Sequence, residues 1–447
     1  MKYLFKGIII FIIFIIFNFI LCGSSYAIGE NYNLAMGKEN KGTEIAVAIR
    51  EDGIWAVNIN DPTEKIRLNK GKKYREPIIS EDGYVAYRDV NNTLYISKLE
   101  FDKTTDVITV DNSISAYQWY KNGKLIYSKS TGGAYIFNTE GKTKEILREG
   151  KEFYTQILLG KDNSLFATKN IMKKVDSNSY ASPLGIIKMD LISKKEKVVV
   201  PYVPINSQND DLGLDPKMAT ISINGVNLFV WCRPNSASIT ADGVPIGIYN
   251  NKNNKCKEVL NEEIIVLTYK DMMSISPIDD NLIAIINGAD RFMGRNKTLG
   301  VFKAEDESFK KITKESEVAM TPSYSNDGKK IIYSASSPSE DLQQWEQSGD
   351  QHIYEVNLEK NEIKKLTSDE YGWDFYPKYI NNNDEFIFIR KNKQNKLLLI
   401  KKDKEGNEQI VIDNILNPKD DVDNNEYYWY YGHYDMEKIF DNMKINQ

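Results

Sequence analysis

The chain has 447 residues, of which 41% are hydrophobic and 11% aromatic, including 27 Tyr and 17 Phe. This composition is rich in strand-forming residues and sufficient for a large core, which excludes a disordered chain. The formal net charge of -5 argues against a nucleic-acid partner, because such a partner requires a basic face that neutralises phosphates.

The N-terminal 27 residues have the three parts of a secretory signal peptide. Lys2 and Lys6 precede an unbroken apolar run at residues 8–17. Ser25-Tyr26-Ala27 then matches the small-x-small rule for cleavage after Ala27. We therefore predict a helical signal segment at residues 1–27 and an exported protein, extracellular or associated with the cell envelope.

Two alternatives to cleavage remain open. The segment could stay as a membrane anchor, although its apolar run is shorter than the roughly 20 residues of a spanning helix. Cys22 could be lipidated, although the residue before it is the bulky Leu21. Cleavage removes two lysines and gives a net charge of -7 (-5 minus 2). Membrane contact is expected only through this segment, if it is retained.

The chain after residue 44 repeats a pattern of short strands. Two apolar runs, at residues 45–49 and 54–57, open the array. The first clear copy starts at Pro77, turns at Asp82-Gly83 and continues with an apolar strand that ends at Tyr87. Asp-Gly and Asn-Gly between apolar runs are the strongest short-range hairpin signal, because glycine tolerates the positive φ that the turn requires.

Further copies follow in the same order. Asn122-Gly123 and Asp327-Gly328 mark two clear ones, and weaker copies fill the rest of the array. The second strand of each copy is predicted near residues 47, 87, 127, 167, 230, 284, 332 and 387. The predicted units lie near residues 30–73, 74–112, 113–150, 151–215, 216–263, 264–317, 318–370 and 371–416.

A four-stranded sheet cannot bury both of its faces alone, so neighbouring units must stack. Stacking in a ring does this and leaves only short, protected edges. No stretch between residues 44 and 416 has sustained helical periodicity or the composition of a linker. We predict one all-β domain at residues 28–416, a β-propeller of four-stranded antiparallel blades, with eight blades or alternatively seven.

The repeated order of Pro, Ser, Asp-Gly and an apolar strand that ends in Tyr resembles the repeat of TolB-type, WD40-like bacterial propellers. Residues 77–87 and 322–334 match it best, and residues 117–128 and 377–388 match partially. Similar repeats occur in the propellers of prolyl-oligopeptidase-like peptidases. The resemblance implies the architecture, and it implies a role in assembly of the cell envelope as one alternative function.

The ring needs an innermost strand for its first unit. We favour residues 32–36 for this strand, with the aromatic residues 427–431 as the alternative. Residues 417–447 are otherwise predicted to be a tail in which an acidic linker at 420–426 leads to an aromatic cluster that packs on the ring.

Long predicted loops are concentrated on one face of the ring. In a propeller, the connections between strands two and three and between successive units share a face. The long loops, at residues 170–183, 201–216, 232–244, 287–297 and 334–351, are all of these two kinds. Because long loops on a rigid scaffold concentrate binding residues, we predict the ligand site there.

Candidate ligand-binding residues on this face are those able to recognise sugars or peptides through aromatic rings or guanidinium groups. They are Arg233, Asp290, Arg291, Arg295, Trp345, His352, Tyr371, Trp373, Asp374 and Tyr376. The alternative for each is a solvated charge or a packing aromatic. Glu76 is predicted to point into the central channel, or to be a satisfied structural carboxylate.

Several kinds of chemistry are disfavoured. No Gly-x-Ser-x-Gly elbow of a hydrolase is present, and with only His352 and His433 a multi-histidine metal site is excluded. No cofactor and no metal are predicted. Cys232 and Cys256 either form a disulfide or include a buried thiol.

The favoured function is non-catalytic binding of a protein, peptide or glycan by a monomeric propeller. A carbohydrate-active hydrolase or lyase is the enzymatic alternative, because such an enzyme needs only two carboxylates at a suitable separation.

Overall fold

The computed structural model describes residues 44–416, with gaps at 72–73, 102–105, 122, 176–177, 259–263, 269, 293, 342–349, 369–371, 381–382, 384 and 395, and residues 443–446. Contacts between Cα atoms divide the chain into Met1–Gly42 and Thr43–Gln447. The predicted signal peptide and most of the predicted tail lie outside the described residues. None of the described helices has the length and apolar character that a membrane span requires.

The described chain forms antiparallel strands that pair in chain order. The first three are β1 (Ile45–Arg50), β2 (Gly53–Asn58) and β3 (Lys65–Lys70). Three separate four-stranded sheets follow: β4 (Tyr74–Ile79), β5 (Tyr84–Asp89), β6 (Leu94–Lys98) and β7 (Val107–Asp111); β8 (Ile114–Trp119), β9 (Lys124–Lys129), β10 (Ala134–Asn138) and β11 (Thr143–Arg148); β12 (Glu152–Leu159), β13 (Ser164–Val175), β14 (Asn178–Asp190) and β15 (Glu196–Pro201).

Three more four-stranded sheets come next: β16 (Asp215–Ile221), β17 (Asn227–Arg233), β18 (Ile246–Asn250) and β19 (Lys255–Glu258); β20 (Met273–Ile275), β21 (Leu282–Asn287), β22 (Thr298–Lys303) and β23 (Ser308–Lys311); β24 (Val318–Tyr324), β25 (Lys330–Ser336), β26 (His352–Asn357) and β27 (Glu362–Lys365). The last strands are β28 (Trp373–Ile380), β29 (Glu385–Lys391), β30 (Leu397–Lys402), β31 (Glu408–Ile415) and β32 (Met443–Asn446). Each position predicted for a second strand is occupied by a strand, from β1 to β29.

The seventh sheet joins the two ends of the described chain. Its halves, β28–β31 and β1–β3, meet at a single residue pair, Arg50 and Ile415. The free edge of β1 pairs with β32, from Ile45 opposite Asn446 to Ala48 opposite Met443. We expected residues 32–36 or 427–431 at this edge, and both lie outside the described residues. A four-residue strand far from its partner gives too short a pattern to recognise in sequence.

Neighbouring sheets pack face to face around apolar cores. One such core joins Ala86, Leu94 and Ile96 of one sheet to Leu125 and Tyr127 of the next, all of them fully buried. First strands of consecutive sheets also contact one another, as β4, β8, β12 and β16 do in series. Burial of each large apolar side chain stabilises the fold by about 1.5–3 kcal/mol. The sheets therefore stack side by side with their first strands innermost, as blades of a propeller do.

The innermost strand bulges in three sheets at the residue that precedes a proline. Glu76, Thr321 and Tyr376 have φ angles of 52°, 48° and 60°, and the ladders of β4, β24 and β28 shift register at these points. The adjacent sheet holds each bulge: the Tyr117 hydroxyl donates to the Glu76 carbonyl at 2.5 Å, and the Tyr376 amide donates to Thr321 Oγ1 at 3.1 Å. The bulge is thus a repeated contact between neighbouring blades.

The structure differs from the expected loops in two places. Residues 170–175 and 178–183, predicted to be part of a loop, instead continue the ladder of β13 and β14, from Asn170 opposite Pro183 to Val175 opposite Asn178. The connection after β17 contains a short helix, α1 (Ala237–Asp242), capped by Ser236, whose side chain accepts from the Ile239 amide. Six residues are too few to show a helical period in sequence.

Candidate ligand-binding face

Four connections on one face contact one another in series. They are residues 202–214, 234–245, 288–297 without 293, and 337–341 with 350–351, which we call the loop face. Asn235 Nδ2 donates to the carbonyls of Val203 at 3.2 Å and Leu212 at 2.9 Å. The Asp290 amide donates to the Asp242 carbonyl at 2.8 Å, and the Ser339 amide to the Gly294 carbonyl at 2.8 Å. Four of the five long loops predicted for this face are therefore joined by hydrogen bonds into one layer.

Arg291 joins two of these connections. Its Nε and Nη2 donate to the two carboxylate oxygens of Asp242 at 2.6 and 2.9 Å, and Nη2 also lies 3.3 Å from the Ser238 carbonyl oxygen. The bidentate bond lowers the pKa of the Asp242 carboxyl from its usual value. Such a bond fixes geometry as well as charge, so Arg291 fastens its loop to the end of α1.

Arg295 joins the next pair of connections. Its Nε donates to Asp290 Oδ2 at 2.7 Å, and its Nη1 bonds Glu340 of the following connection. Its guanidinium also lies 5.6 Å from the centroid of the Phe292 ring. The guanidinium thus bonds two carboxylates and packs on a ring. Asp290, Arg291 and Arg295, all predicted ligand contacts, are brought together here as ties between loops.

The buried side chain of Lys297 holds the 288–297 connection in place, a role that the sequence did not predict. It is 1% exposed, and its Nζ donates to the carbonyls of Ala289, Asp290 and Arg295 at 3.0, 2.9 and 3.1 Å. Burial lowers the pKa of this ammonium to about 8. A lysine in a polar loop gives no sequence signal of such a role, because its three acceptors are backbone carbonyls.

Gly288 starts the same segment in a conformation that requires glycine. Its φ is +146°, and a Cβ added there would lie 1.4 Å from the carbonyl oxygen of Asn296. Its amide donates to the Ile265 carbonyl at 2.8 Å. The backbones of Gly288 and Asn296, at the two ends of this connection, therefore lie so close together that only glycine fits at position 288.

Asp374 lies inside the fold, in β28. It is fully buried, and Arg390 Nε and Nη2 donate to its two oxygens at 2.6 and 2.9 Å. Arg390, 4% exposed, also donates to Glu408 at 2.5 Å. Burial raises the pKa of the Asp374 carboxyl, and the bonds from Arg390 oppose this shift. This group ties three strands of one sheet together.

The other candidates near β28 are also buried. His352 is 1% exposed, with Nε2 3.6 Å from Asp350 Oδ1. Trp373 is 7% exposed, and the Lys391 ammonium lies 5.0 Å from its ring centroid. Tyr376, 3% exposed, belongs to a pre-proline bulge. Trp373 and Tyr376 belong to an apolar core cluster, and the ligand-binding role of all three residues stays a prediction.

The remaining candidates lie apart from this group. Arg233 ends β17, partly exposed and opposite Asp215. Glu76 is half-exposed, and its Oε1 accepts from Arg88 Nη2 at 2.6 Å. Trp345 and Tyr371 lie outside the described residues. The channel position of Glu76 and the ligand-binding role of Arg233 stay predictions.

Cys232 and Cys256 do not bond to each other. Cys232 is buried and Cys256 is exposed. Cys232 lies on β17 beside Pro245, whereas Cys256 on β19 is opposite Tyr249 of β18. One strand, β18, lies between their strands, and the two residues are four positions apart along the sheet. This separation is well beyond the Cα distance of about 4.4–6.8 Å in a disulfide. The disulfide alternative is therefore wrong, and the buried-thiol alternative describes Cys232.

Three acids of the loop face, Asp242, Asp290 and Glu340, accept hydrogen bonds from Arg291 and Arg295. Within the described part of the chain, no group of three or more His, Cys, Asp or Glu side chains is arranged to hold a metal ion.

No protein-family model and no curated protein sequence matches the chain. Its fold is similar to that of several solved structures. Dipeptidyl peptidase 4 of Porphyromonas gingivalis is 11% identical, with a TM-score of 0.52 over 84% of this chain and 58% of that one. Oligogalacturonate lyase of Vibrio parahaemolyticus is 11% identical, with a TM-score of 0.45 over 78% of this chain and 94% of that one.

TolB of Acinetobacter baumannii is 14% identical, with a TM-score of 0.33 over 76% of this chain and 79% of that one. At these identities the likeness concerns the fold alone. The chain has a β-propeller fold, which is the architecture that its TolB-type repeat predicts.

Proposed function

We propose that the protein is an exported, eight-bladed propeller that binds a protein partner through its loop face and catalyses no reaction. The blade count is supported by the single residue pair that joins β28–β31 to β1–β3, which makes the seventh sheet two blades side by side. With β32 as its innermost strand, the first blade has four strands like the others. Export is supported by the signal-like order of charged, apolar and small residues at 1–27.

The observation that carries the binding role is the layer of interlocked loops with apolar side chains at its surface. Val203, Ile205, Leu212 and Ile239 are 37%, 54%, 36% and 46% exposed on two connections that Asn235 ties together. Exposed apolar side chains grouped on a rigid surface mark interaction sites, because burying them in a complex is favourable. Loops already fixed by ion pairs lose little conformational entropy when they bind.

The arrangement of charges favours binding over catalysis. A glycosidase-like mechanism needs two available carboxylates roughly 5–9.5 Å apart. Asp242, Asp290 and Glu340 instead accept from Arg291 and Arg295. A carboxylate held by a guanidinium is a poor general base, because the ion pair stabilises its charged form.

The test is a pull-down of cell-surface and secreted proteins with the purified full chain, in parallel with a glycan array. Ile205→Glu on the loop face should reduce capture of the partner at least tenfold. Ile410→Glu is the matched control, because Ile410 is 53% exposed on the outer strand β31. Equal binding by both variants, or capture of glycans alone, would overturn the proposed protein partner.

A further inference from the structure

A second concave site lies on the face opposite the loops. It is a cleft of about 660 Å³ between the β16–β19 sheet and the β20–β23 sheet. The turns between first and second strands and between third and fourth strands form its rim. Its size lies within the roughly 300–1,000 Å³ typical of small-molecule sites. The sequence predicts long loops only on the opposite face, and the turns that surround this cleft are short.

Asparagine side chains form the floor of this cleft in a hydrogen-bonded series. Asn250 Nδ2 donates to Asn227 Oδ1 at 3.0 Å, and Asn227 Nδ2 donates to Asn281 Oδ1 at 3.3 Å. Asn281 Nδ2 then donates to Asp279 Oδ1 at 3.3 Å. The series crosses from one sheet to the other and fixes the orientation of each amide. Amides both donate and accept, as peptide groups do.

The two walls of the cleft carry opposite charge. Lys252 and Lys255 line the β16–β19 side, and Asp279, Asp280 and Glu305 line the β20–β23 side. Among the described residues, no ion pair joins either lysine to these acids, and Glu305 instead lies 3.4 Å from Lys303. The opposing charges therefore face one space without neutralising each other directly.

Charges arranged in this way select a ligand that carries both signs. An anion alone meets three carboxylates, and a cation alone meets the lysines. A neutral sugar leaves both walls unpaired, and the residues that line the cleft include no aromatic ring on which a sugar could stack. A short peptide with free termini satisfies both walls and offers its backbone to the amide floor.

We propose that this cleft binds a short zwitterionic peptide. The N-terminal ammonium lies against Asp279, Asp280 and Glu305, and the C-terminal carboxylate against Lys252 and Lys255. The asparagine floor bonds the peptide groups between them. The site is separate from the loop face and does not depend on the protein partner proposed there.

The experiment is isothermal titration calorimetry of the purified full chain with di- to pentaalanine. At least one of these peptides should bind, and its N-acetylated and C-amidated forms should each bind at least tenfold more weakly. Lys255→Met and Asp280→Asn should each weaken binding at least fivefold. Lys364→Met and Asp106→Asn, at exposed positions outside both proposed sites, should leave it unchanged.

Two results would overturn this inference: absence of binding by all four peptides at millimolar concentration, or equal binding of the free and capped forms. Ile205→Glu separates the two proposals, because it should reduce partner capture at least tenfold and leave peptide binding intact. A loss of peptide binding in that variant would also refute the assignment of the peptide to this cleft.

Discussion

Replacement of Asp374 by Asn tests whether this buried carboxylate is structural. The substitution keeps the side-chain shape but removes the charge that pairs with Arg390 at 2.6 and 2.9 Å. Removing one partner of a buried ion pair costs about 3–5 kcal/mol. Glu408, 21% exposed, still bonds Arg390 in the variant and limits the loss. We therefore expect a loss of about 3 kcal/mol in the free energy of unfolding.

Urea denaturation monitored by tryptophan fluorescence measures this loss. A loss of about 3 kcal/mol lowers the unfolding midpoint by roughly 0.5–1 M for a large domain, because the denaturant slope grows with the surface exposed on unfolding. Asp210→Asn, at an exposed position, is the matched control and should stay within about 0.5 kcal/mol of the parent chain. Partner binding by folded Asp374→Asn should be unchanged. A variant with the parent stability and no binding would show that Asp374 contacts the ligand instead.

Three further outcomes are expected. Burial raises the pKa of the Asp111 carboxyl, but hydrogen bonds from two lysines outweigh burial and hold the pKa below its usual value. The stabilising contribution of this group is thus complete above the unfolded pKa of about 3.9 and is lost progressively as the pH falls from there toward the lower pKa of the folded state. The urea midpoint of Asp111→Asn should therefore differ most from the parent at neutral pH, and the difference should shrink steadily below about pH 4. Gly288→Ala should speed proteolysis of the loop face, because the added Cβ clashes with the Asn296 carbonyl oxygen. Gly83→Ala is the control and should have a smaller effect, since an added Cβ there meets nothing within 4 Å. Equal proteolysis rates for the two variants would contradict the close contact between Gly288 and Asn296. A maleimide should label Cys256 in the native chain and Cys232 only in denaturant, and identical labelling before and after unfolding would be inconsistent with the burial of Cys232.

The repeat was predictable from sequence because its signals are local. Each clear copy carries a Gly at the turn between its first and second strands, and Gly83 and Gly328 adopt the positive φ angles of 79° and 68° that this turn requires. The closing strand β32 was not predictable, because its partner β1 lies some four hundred residues away and only four residues pair.

The candidate site was predictable in position and much less in role. Loop lengths located the loop face, since long connections stand out between regular strands. The sequence did not show which groups the charged residues pair with. Arg291 bonds Asp242, which is 49 positions earlier in the chain, and Asp374 bonds Arg390 on the next strand. A charged residue in a sequence looks the same whether a ligand or another blade neutralises it.

Residues fixed by the repeat and residues peculiar to one blade have different meanings for function. Glu76 and Tyr376 were candidates because of their chemistry, yet both occupy the pre-proline bulge that Thr321 also occupies. A backbone conformation shared by three blades, each held by its neighbour, is a requirement of the ring and carries no information about a ligand. The two surfaces proposed as binding sites have the opposite character. The interlocked loops and the charged cleft each occur where particular blades depart from the repeat, so selection for a ligand can act there without disturbing the way in which the blades stack.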